Sequence, residues 1–241
     1  MLPLYAVDKP GRRAVVTWAL IGANTMVFIA ELVYTSGLDP CLQAQLFYSW
    51  GLVPFSLTNG VQVSLQCSTG QLFVGSHTPL VYLTPFTSMF LHAGYLHLVG
   101  NMLFLFVFGG NIEARFGRIK FLASYLACGL AGGLAMILTS SVGGSINAYI
   151  PGVGASGAIS GVMAAYLVLY PNSRIISIIG YFILPVRAFW FIGGWFLLQV
   201  LFQAGGIDTG VAYAAHIGGF MLGLGLAAIV RVTSVAVEPE L

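Results

Sequence analysis

The sequence predicts an all-α membrane protein, folded as one bundle of six transmembrane helices. Of its 241 residues, 58% are hydrophobic and only 7% are charged, whereas soluble domains carry about 25% charged residues. Apolar runs of roughly twenty residues recur along the chain, and each is long enough to cross about 30 Å of hydrocarbon as a helix. The strands of a β-barrel would alternate polar and apolar residues, and these unbroken runs do not alternate.

The apolar runs place the six spans along a single domain that covers residues 1–241. We predict the spans at residues 14–34, 86–111, 119–141, 154–170, 188–204 and 211–230. The first span follows basic residues, as a signal peptide would. Its apolar run is longer than a signal-peptide core and no small-x-small cleavage site follows, so we interpret it as a helix.

The basic residues predict the orientation of the bundle. All nine lie before span 1 or after spans 2, 4 and 6: Lys9, Arg12, Arg13, Arg115, Arg118, Lys120, Arg174, Arg187 and Arg231. These places share one side of a six-span bundle, and the positive-inside rule assigns that side to the cytoplasm. We therefore predict a multi-pass protein of the cell membrane with both termini cytoplasmic. The net charge of +2 reflects this orientation and does not indicate nucleic-acid binding.

The opposite side carries the long outer loop, residues 35–85, which contains no Lys or Arg. Its aromatic stretch FYSWGLVPFSL, residues 47–57, predicts a segment that lies in the membrane interface. Cys41 and Cys67 both lie in this loop, where an oxidising compartment permits a disulfide, but two free thiols are equally compatible with the sequence. Cys128 is interpreted as a small apolar core residue. On the inner side, IISIIGYFILP (175–185) is apolar but too short to span.

Polar side chains inside the predicted spans are candidate functional residues, because lipid does not solvate them. His97 and Asn101 are four residues apart and share one helix face, whereas His92 points toward the outer end. Hydrogen bonding between helices is the structural alternative. A metal site requires three or four ligands, and Cys128, Glu31 and Glu113 do not fall at a matching depth, so we predict neither a metal nor a cofactor.

The segment GVGASGAISG, residues 152–161, places two serines among glycines and alanines. Gly157-x-x-x-Gly161 is a spacing at which membrane helices pack closely, and a serine in such a segment is more often packing material than a nucleophile. The segment also differs from the Gly-x-Ser-x-Gly elbow of soluble hydrolases, because Gly157 directly follows Ser156.

The segment AAHIGGFMLG, residues 214–223, changes this interpretation. Gly219 and Gly223, which follow His216, are four residues apart, the same spacing as in the Ser156 segment. Two helices with glycine faces can therefore bring Ser156 and His216 within hydrogen-bonding distance. Spans 2, 4 and 6 all begin on the outer side. We place Ser156 in the first turn of its span, His216 about two turns in, and His97 and Asn101 roughly three to four turns down.

These motifs resemble those of the rhomboid family of intramembrane serine proteases, and the resemblance covers nearly the whole chain. The matching residues are His92, His97 and Asn101 (His-x4-His-x3-Asn), Gly154 to Gly157 (Gly-x-Ser-Gly), Ala215 to Gly223 (Ala-His-x-x-Gly-x-x-x-Gly), and Glu113 with Gly117 (Glu-x3-Gly). One departure concerns the anchoring of the outer loop: many rhomboids have a Trp-Arg pair before span 2, where this chain has Leu83-Thr84.

The resemblance implies a serine endopeptidase that cleaves transmembrane protein substrates near the outer face of the lipid bilayer. Ser156 would be the nucleophile and His216 the general base, with His97, Asn101 and the Ser156 backbone N–H as oxyanion donors. His92 and the glycines would have supporting roles. Since Glu31, Asp39, Glu113 and Asp208 lie in loops or near span ends, we predict a dyad without a carboxylate.

Two alternatives remain open from the sequence. Intramembrane histidines also line transport and proton pathways, although the chain lacks an acid at the bundle centre and inverted repeats, which counts against a transporter. An inactive rhomboid-like protein that only binds membrane partners would not need both Ser156 and His216.

Overall fold

The computed structural model describes residues 1–8, 13–67, 69–140, 146–207 and 209–235. Its helices are α1 (Val15–Tyr34), α2 (Pro40–Trp50), α3 (Pro54–Asn59), α4 (Thr84–Thr87), α5 (Tyr95–Phe116), α6 (Arg118–Ser140), α7 (Ser156–Leu169), α8 (Ala188–Ala204) and α9 (Tyr213–Val235). Short 3₁₀ turns cover Pro79–Leu83, Ser88–Phe90 and Ile146–Tyr149. Lys9, Arg12 and Asp208 lie outside the described residues.

Six helices occupy the positions of the six predicted spans. Among the described residues, α1, α5, α6 and α9 are long and apolar enough to cross a membrane, while the apolar helices α7 and α8 are shorter. Apolar helices of this length make the chain a multi-pass membrane protein. The count of six crossings stays a prediction, because 14 residues in α7 and 17 in α8 fall at or below the length that spans hydrocarbon.

The predicted start of the second span at residue 86 is wrong, because α5 begins at Tyr95. Leu91 and Gly94 are extended, so the chain leaves the helical path between the 3₁₀ turn at Ser88–Phe90 and α5. The backbone N–H of His92 donates to the two carboxylate oxygens of Glu31 at 3.2 and 3.3 Å. The Glu31 carboxylate thus takes the place of the carbonyl oxygen to which the His92 N–H would donate inside a helix.

Two buried carboxylates hold α1 antiparallel to α5, one at each end of the pair. Glu31, near the end of α1, accepts a hydrogen bond from the backbone N–H of His92, which lies just before α5. Glu113, near the end of α5, accepts hydrogen bonds of 2.8–2.9 Å from the backbone of Val16 and Thr17 and from the Thr17 hydroxyl. These are free N–H groups of the first turn of α1, which a carboxylate stabilises through charge and hydrogen bonding.

The prediction of an all-α fold is wrong in detail, since five short strands accompany the helices in the part of the chain that the structure describes. They are β1 (Leu2–Ala6), β2 (Val61–Gln66), β3 (Gln71–His77), β4 (Arg174–Ile179) and β5 (Phe182–Arg187). β2 and β3 form an antiparallel hairpin in the outer loop, and β1, β4 and β5 form an antiparallel sheet in the order β1-β4-β5. The chain is mostly helical with two small sheets.

The apolar piece 175–185, which the sequence places on the inner side, is the hairpin β4–β5. Its isoleucines favour extended backbone. Gly180 adopts a φ of 61° in the two-residue turn, a conformation that suits hairpin turns. Strand β1 completes the sheet from the other end of the chain, with Leu2 opposite Ile178 and Ala6 opposite Ile175.

The outer loop is fixed to the bundle without a Trp-Arg pair. Leu52 and Gly152 exchange backbone hydrogen bonds of 3.0 and 2.8 Å, and the rings of Phe55 and Tyr149 stack at 4.5 Å. A disulfide joins Cys41, at the start of α2, to Cys67, just after β2. The residues that lead into α7 are therefore tied directly to the outer loop.

Helix α7 lies at the centre of the bundle. Every residue from Gly157 to Tyr166 is buried, and α7 packs mainly against α9 and α6. Small side chains allow these close contacts, as expected where lipid gives no hydrophobic drive between helices. The first residue of this central helix is Ser156, so the packing of the bundle fixes the position of its hydroxyl.

Candidate active site

Ser156 lies at the N-terminus of α7, half-buried. The backbone N–H groups of the first helical turn have no carbonyl partner within the helix and carry partial positive charge. The turn that precedes the helix includes Gly154, whose φ is 120°, a value that residues with a side chain rarely adopt. The Gly154 N–H donates to the Ser88 carbonyl at 2.8 Å, which fixes this turn.

The structure brings Ser156 and His216 into direct contact. The Oγ of Ser156 is 2.8 Å from Nε2 of His216, which lies in the first turn of α9. The two residues are 60 positions apart in the chain, so only the packing of α7 on α9 makes the hydrogen bond. This contact is the one that the sequence predicts from the matched glycine spacings.

Small residues on three helices produce that approach. A Cβ on Gly223 would lie 2.5 Å from the Cα of Gly161, and a Cβ on Gly161 would lie 2.5 Å from the Cβ of Cys128 in α6. A Cβ on Gly132, also in α6, would meet the Ala215 carbonyl oxygen at 2.6 Å. The contribution of α6 was not predicted, because its glycines lie far in sequence from both site motifs.

A third side chain completes the surroundings of His216, and sequence reasoning missed it. The Oε1 of Gln199, in α8, is 2.8 Å from Nδ1 of His216. The indole ring of Trp195 lies next to the imidazole in a tilted arrangement, with ring centroids 5.6 Å apart and planes 33° apart. The available signal was the presence of two glutamines, Gln199 and Gln203, in a span whose other residues are apolar, since polar residues inside a membrane span mark candidate functional sites.

His97 and Asn101 lie in the first two turns of α5, at the helix end nearest Ser156. This position differs from the prediction of three to four turns of depth, because α5 starts at Tyr95. Their side chains face the turn before Ser156: a Cβ on Gly154 would lie 2.7 Å from Nε2 of His97 and 3.8 Å from Nδ2 of Asn101. Glycine is therefore required at position 154 by space as well as by backbone conformation.

Hydrogen bonds set the orientation of both side chains. Nδ1 of His97 accepts from the Ala93 N–H at 3.3 Å, which leaves Nε2 as the protonated donor of a neutral imidazole. The amide of Asn101 donates to the His97 carbonyl at 2.9 Å and keeps a second N–H. Two N–H donors can thus point toward the space beside Gly154 and Ser156.

His92 supports this cluster and lies one layer behind it. The residue is fully buried, and its ring lies edge to face with His97 at a centroid distance of 5.2 Å. Nδ1 of His92 is 3.1 Å from the Phe90 carbonyl oxygen. Together with the bond from the His92 N–H to Glu31, these contacts connect the end of α1 to His97.

The acidic side chains considered as triad members lie elsewhere. Glu31, near the end of α1, accepts from the His92 N–H, and Glu113 accepts from the Thr17 N–H in the first turn of α1. Asp39 caps the start of α2. Asp208 lies outside the described residues. The position beside Nδ1 of His216, where a carboxylate would stand in a triad, is held by the neutral amide of Gln199.

The site therefore combines a serine hydroxyl, an imidazole that can accept its proton, and several N–H donors at a helix N-terminus. A hydroxyl activated by an adjacent base attacks acyl carbons, and grouped N–H donors stabilise the oxyanion that results. The arrangement suits acyl transfer, of which peptide-bond hydrolysis is one form.

Comparisons with known proteins identify relatives of this chain. A family model described as the Rhomboid domain matches residues 81–233. The Rhomboid protease AarA of Providencia stuartii is 32% identical over 215 residues, which are 86% of this chain and 69% of that protein. Rhomboid protein 1, mitochondrial, of Saccharomyces cerevisiae is 32% identical over 142 residues, 57% of this chain. RHOMBOID-like protein 5 of Arabidopsis thaliana is 33% identical over 163 residues, 63% of this chain. The matched residues span 38% of the yeast protein and 46% of the plant protein.

Proposed function

The chain belongs to the rhomboid family, and on that premise we propose that it is an intramembrane serine endopeptidase that cleaves transmembrane segments of other membrane proteins. The observation that carries the proposal is the 2.8 Å contact between Ser156 Oγ and His216 Nε2. A relative that only bound membrane proteins would have no use for a serine and a histidine held in this geometry.

In the proposed reaction, Ser156 is the nucleophile and His216 the general base. Oγ attacks the carbonyl carbon of the scissile peptide bond while its proton passes to Nε2 of His216. The tetrahedral intermediate collapses when His216 gives that proton to the leaving amine, which forms an acyl-enzyme. Water then attacks the ester with His216 again as base, and the proton returns to Ser156 as the second product leaves.

The oxyanion of the intermediate is assigned to three donors. The Ser156 backbone N–H points outward from the N-terminus of α7, and the side chains of His97 and Asn101 approach the same turn from α5. Each such donor typically lowers the barrier by about 3 kcal/mol. The positive end of the α7 dipole favours the same negative charge.

The substrate class follows from the depth of the site. Ser156, His216 and His97 all lie in the first turns of their helices, so a bond near one end of a transmembrane segment would reach them. A helix in lipid keeps its carbonyls in hydrogen bonds. The scissile stretch must therefore unwind, and we propose single-span substrates with helix-weakening residues near the outer face.

Charge supports a location in the cell membrane with the site toward the outer face. The described basic residues lie where α1, α6 and α8 begin and where α5, α7 and α9 end, which are the ends opposite the site. By the positive-inside rule those ends face the cytoplasm. We propose that residues 1–241 act as one domain in this orientation.

The proposed function is tested by labelling the membrane-embedded protein with a fluorophosphonate serine probe and by cleavage of a reporter transmembrane substrate. We expect labelling and cleavage in the unaltered protein and neither in Ser156→Ala or His216→Ala. Ser49→Ala removes an exposed serine of α2 and should change neither readout. Absence of labelling and cleavage in the unaltered protein, or full activity in His216→Ala, would contradict the proposal.

A further inference from the structure

Gln199 is a buried amide in a helix that is otherwise almost wholly apolar. Only 7% of its surface is exposed, and it lies four residues after Trp195, on the same face of α8. A buried amide in lipid is costly unless its oxygen and its N–H groups have partners. The partner of the Gln199 oxygen is Nδ1 of His216, at 2.8 Å.

The second hydrogen bond of Gln199 fixes which end of the amide faces the histidine. Nε2 of Gln199 donates to the Trp195 carbonyl at 3.3 Å. A reversed amide would place the Gln199 oxygen against this carbonyl oxygen, two acceptors with no proton between them. The bond to Trp195 therefore directs the Gln199 oxygen toward His216.

This orientation determines the tautomer of His216. The Gln199 oxygen can only accept, so Nδ1 must carry the proton of the neutral imidazole. Nε2 is then the unprotonated nitrogen and accepts the hydrogen bond from the Ser156 hydroxyl at 2.8 Å. With the proton on Nε2 instead, His216 could not remove the proton from Ser156.

We propose that Gln199 is a positioning residue of the reaction, which holds His216 in the tautomer and ring orientation that accept the proton of Ser156. This inference rests on the proposed endopeptidase function and adds a third member, from a third helix, to the pair of Ser156 and His216. Gln199 stays neutral throughout and transfers no proton. When Nε2 takes the proton, the Gln199 oxygen continues to accept from Nδ1–H of the imidazolium.

An amide suits this place better than a carboxylate because the place is buried. An ionised acid would pay a large desolvation cost beside an imidazole that is neutral in the resting protein. The Trp195 ring packs against the imidazole in a tilted arrangement, while Gln199 binds Nδ1 at its edge. Helix α8 thus restrains His216 from two directions without placing a charge in the membrane.

The first test compares Gln199→Met, which keeps the side-chain length and removes the acceptor, with Gln203→Met. Gln203 is an exposed glutamine on the same helix, one turn later, and its replacement should leave all readouts unchanged. For Gln199→Met we expect kcat to fall about 10- to 100-fold with KM unchanged. Loss of one neutral hydrogen bond corresponds to roughly a tenfold change in rate, and a mixture of His216 tautomers would lower the rate further. The rate of fluorophosphonate labelling should fall by a similar factor. A wild-type rate in Gln199→Met overturns the inference while leaving the proposed function intact.

A second measurement separates positioning from folding. The chain has four histidines, so ¹⁵N-histidine NMR in detergent micelles, with His216→Ala for assignment, can read the tautomer of His216 directly. We expect protonated Nδ1 and unprotonated Nε2 in the unaltered protein, and a mixture in Gln199→Met. Gln199→Glu restores an oxygen acceptor and should recover part of the lost kcat. Protonated Nε2 in the resting unaltered protein would overturn the inference even if Gln199→Met failed to fold. If the unaltered protein shows the expected tautomer of His216 but neither cleaves the reporter nor reacts with the probe, the proposed function is contradicted instead.

Discussion

A Cβ atom on Gly219 would lie 2.7 Å from the carbonyl carbon of Gly157. Helices α9 and α7 therefore touch backbone to backbone at this point, directly below the hydrogen bond between His216 and Ser156. Gly157 follows the serine by one residue, and Gly219 follows the histidine by three. The contact sets the separation of the Ser156 and His216 side chains.

Gly219→Val is expected to abolish cleavage and probe labelling while the protein still inserts into the membrane. The valine side chain must push α9 away from α7, and 1 Å of misplacement at a reacting centre can cost about 100-fold in rate. Valine is well tolerated in lipid, so insertion should persist. The measurements are probe labelling, reporter cleavage and recovery of the protein in the membrane fraction.

Gly225→Val provides the matched control for this substitution. Gly225 lies on the same helix, but a Cβ there would meet nothing within 4 Å. This variant should retain normal activity. Equal activity of Gly219→Val and Gly225→Val would remove the glycine contact as the determinant of the Ser156–His216 distance.

Ser160→Ala is expected to retain most activity, in contrast to Ser156→Ala. Ser160 is buried, and its Oγ donates to the Ser156 carbonyl at 2.6 Å, a bond within α7 that does not reach His216. Its loss should cost about 1 kcal/mol of stability. Even if that whole amount were lost from the transition state, the rate of probe labelling would stay within about fivefold of the original. If Ser160→Ala were as inactive as Ser156→Ala, the assignment of the nucleophile would have to be reconsidered.

Much of the fold was predictable because lipid restricts the chain so strongly. A buried backbone in hydrocarbon must be helical, and a span has a fixed length, so five of the six helices begin within a few residues of their predicted starts. The second helix begins later than predicted, because Met89 and Leu91 are apolar without being part of a span. They are buried against the bundle, and hydropathy does not distinguish a packed turn from a span.

The strands and Gln199 were missed for two different reasons. The apolar run that forms β4 and β5 carries no alternation that would mark a strand, and its third strand starts at Leu2. Gln199 is one polar residue in an apolar run, and only the packing of α8 on α9 places it beside His216. The contact of Ser156 with His216 was predictable because both segments carry the same glycine spacing.

Asn101→Ala is expected to reduce kcat about 100-fold with little change in KM, a smaller loss than in Ser156→Ala. The substitution removes one of the three proposed oxyanion donors, and a donor of this kind is typically worth about 3 kcal/mol. His97→Ala should behave similarly, since Nε2 of His97 lies nearest to Gly154. Steady-state cleavage of the reporter substrate measures both parameters.

The control for the oxyanion donors is Asn111→Ala, in the same helix. The Asn111 amide donates to the Asp8 carbonyl at 3.1 Å, ten residues along α5 from Asn101. This variant should lower the thermal stability of the protein and leave kcat unchanged. An unaltered rate in both His97→Ala and Asn101→Ala would refute the oxyanion assignment but not the Ser156–His216 pair.

Cys41 and Cys67 are expected to be found as one cross-linked pair in peptides digested without reduction. They close a loop with a sequence separation of 26, for which chain entropy predicts about 3.5 kcal/mol of stabilisation. The double variant Cys41→Ser, Cys67→Ser should therefore melt at a lower temperature. Cys128 is buried and should stay unalkylated in the folded protein. Alkylation of both Cys41 and Cys67 without prior reduction would contradict the disulfide.

The orientation of the bundle is tested by cysteines placed at its two ends. Asn59 is exposed at the end of α3 in the outer loop, and Arg118 is exposed at the start of α6. We expect a membrane-impermeant maleimide to label Asn59→Cys on intact cells and to label Arg118→Cys only after the membrane is opened. The physical reason is that the Lys and Arg residues that the structure describes lie at the Arg118 end, which the positive-inside rule places in the cytoplasm. The disulfide between Cys41 and Cys67 requires the same assignment, because it lies at the Asn59 end and such bonds persist in oxidising compartments. Labelling of both cysteines from the same side would overturn the topology, and labelling of Arg118→Cys alone on intact cells would invert it.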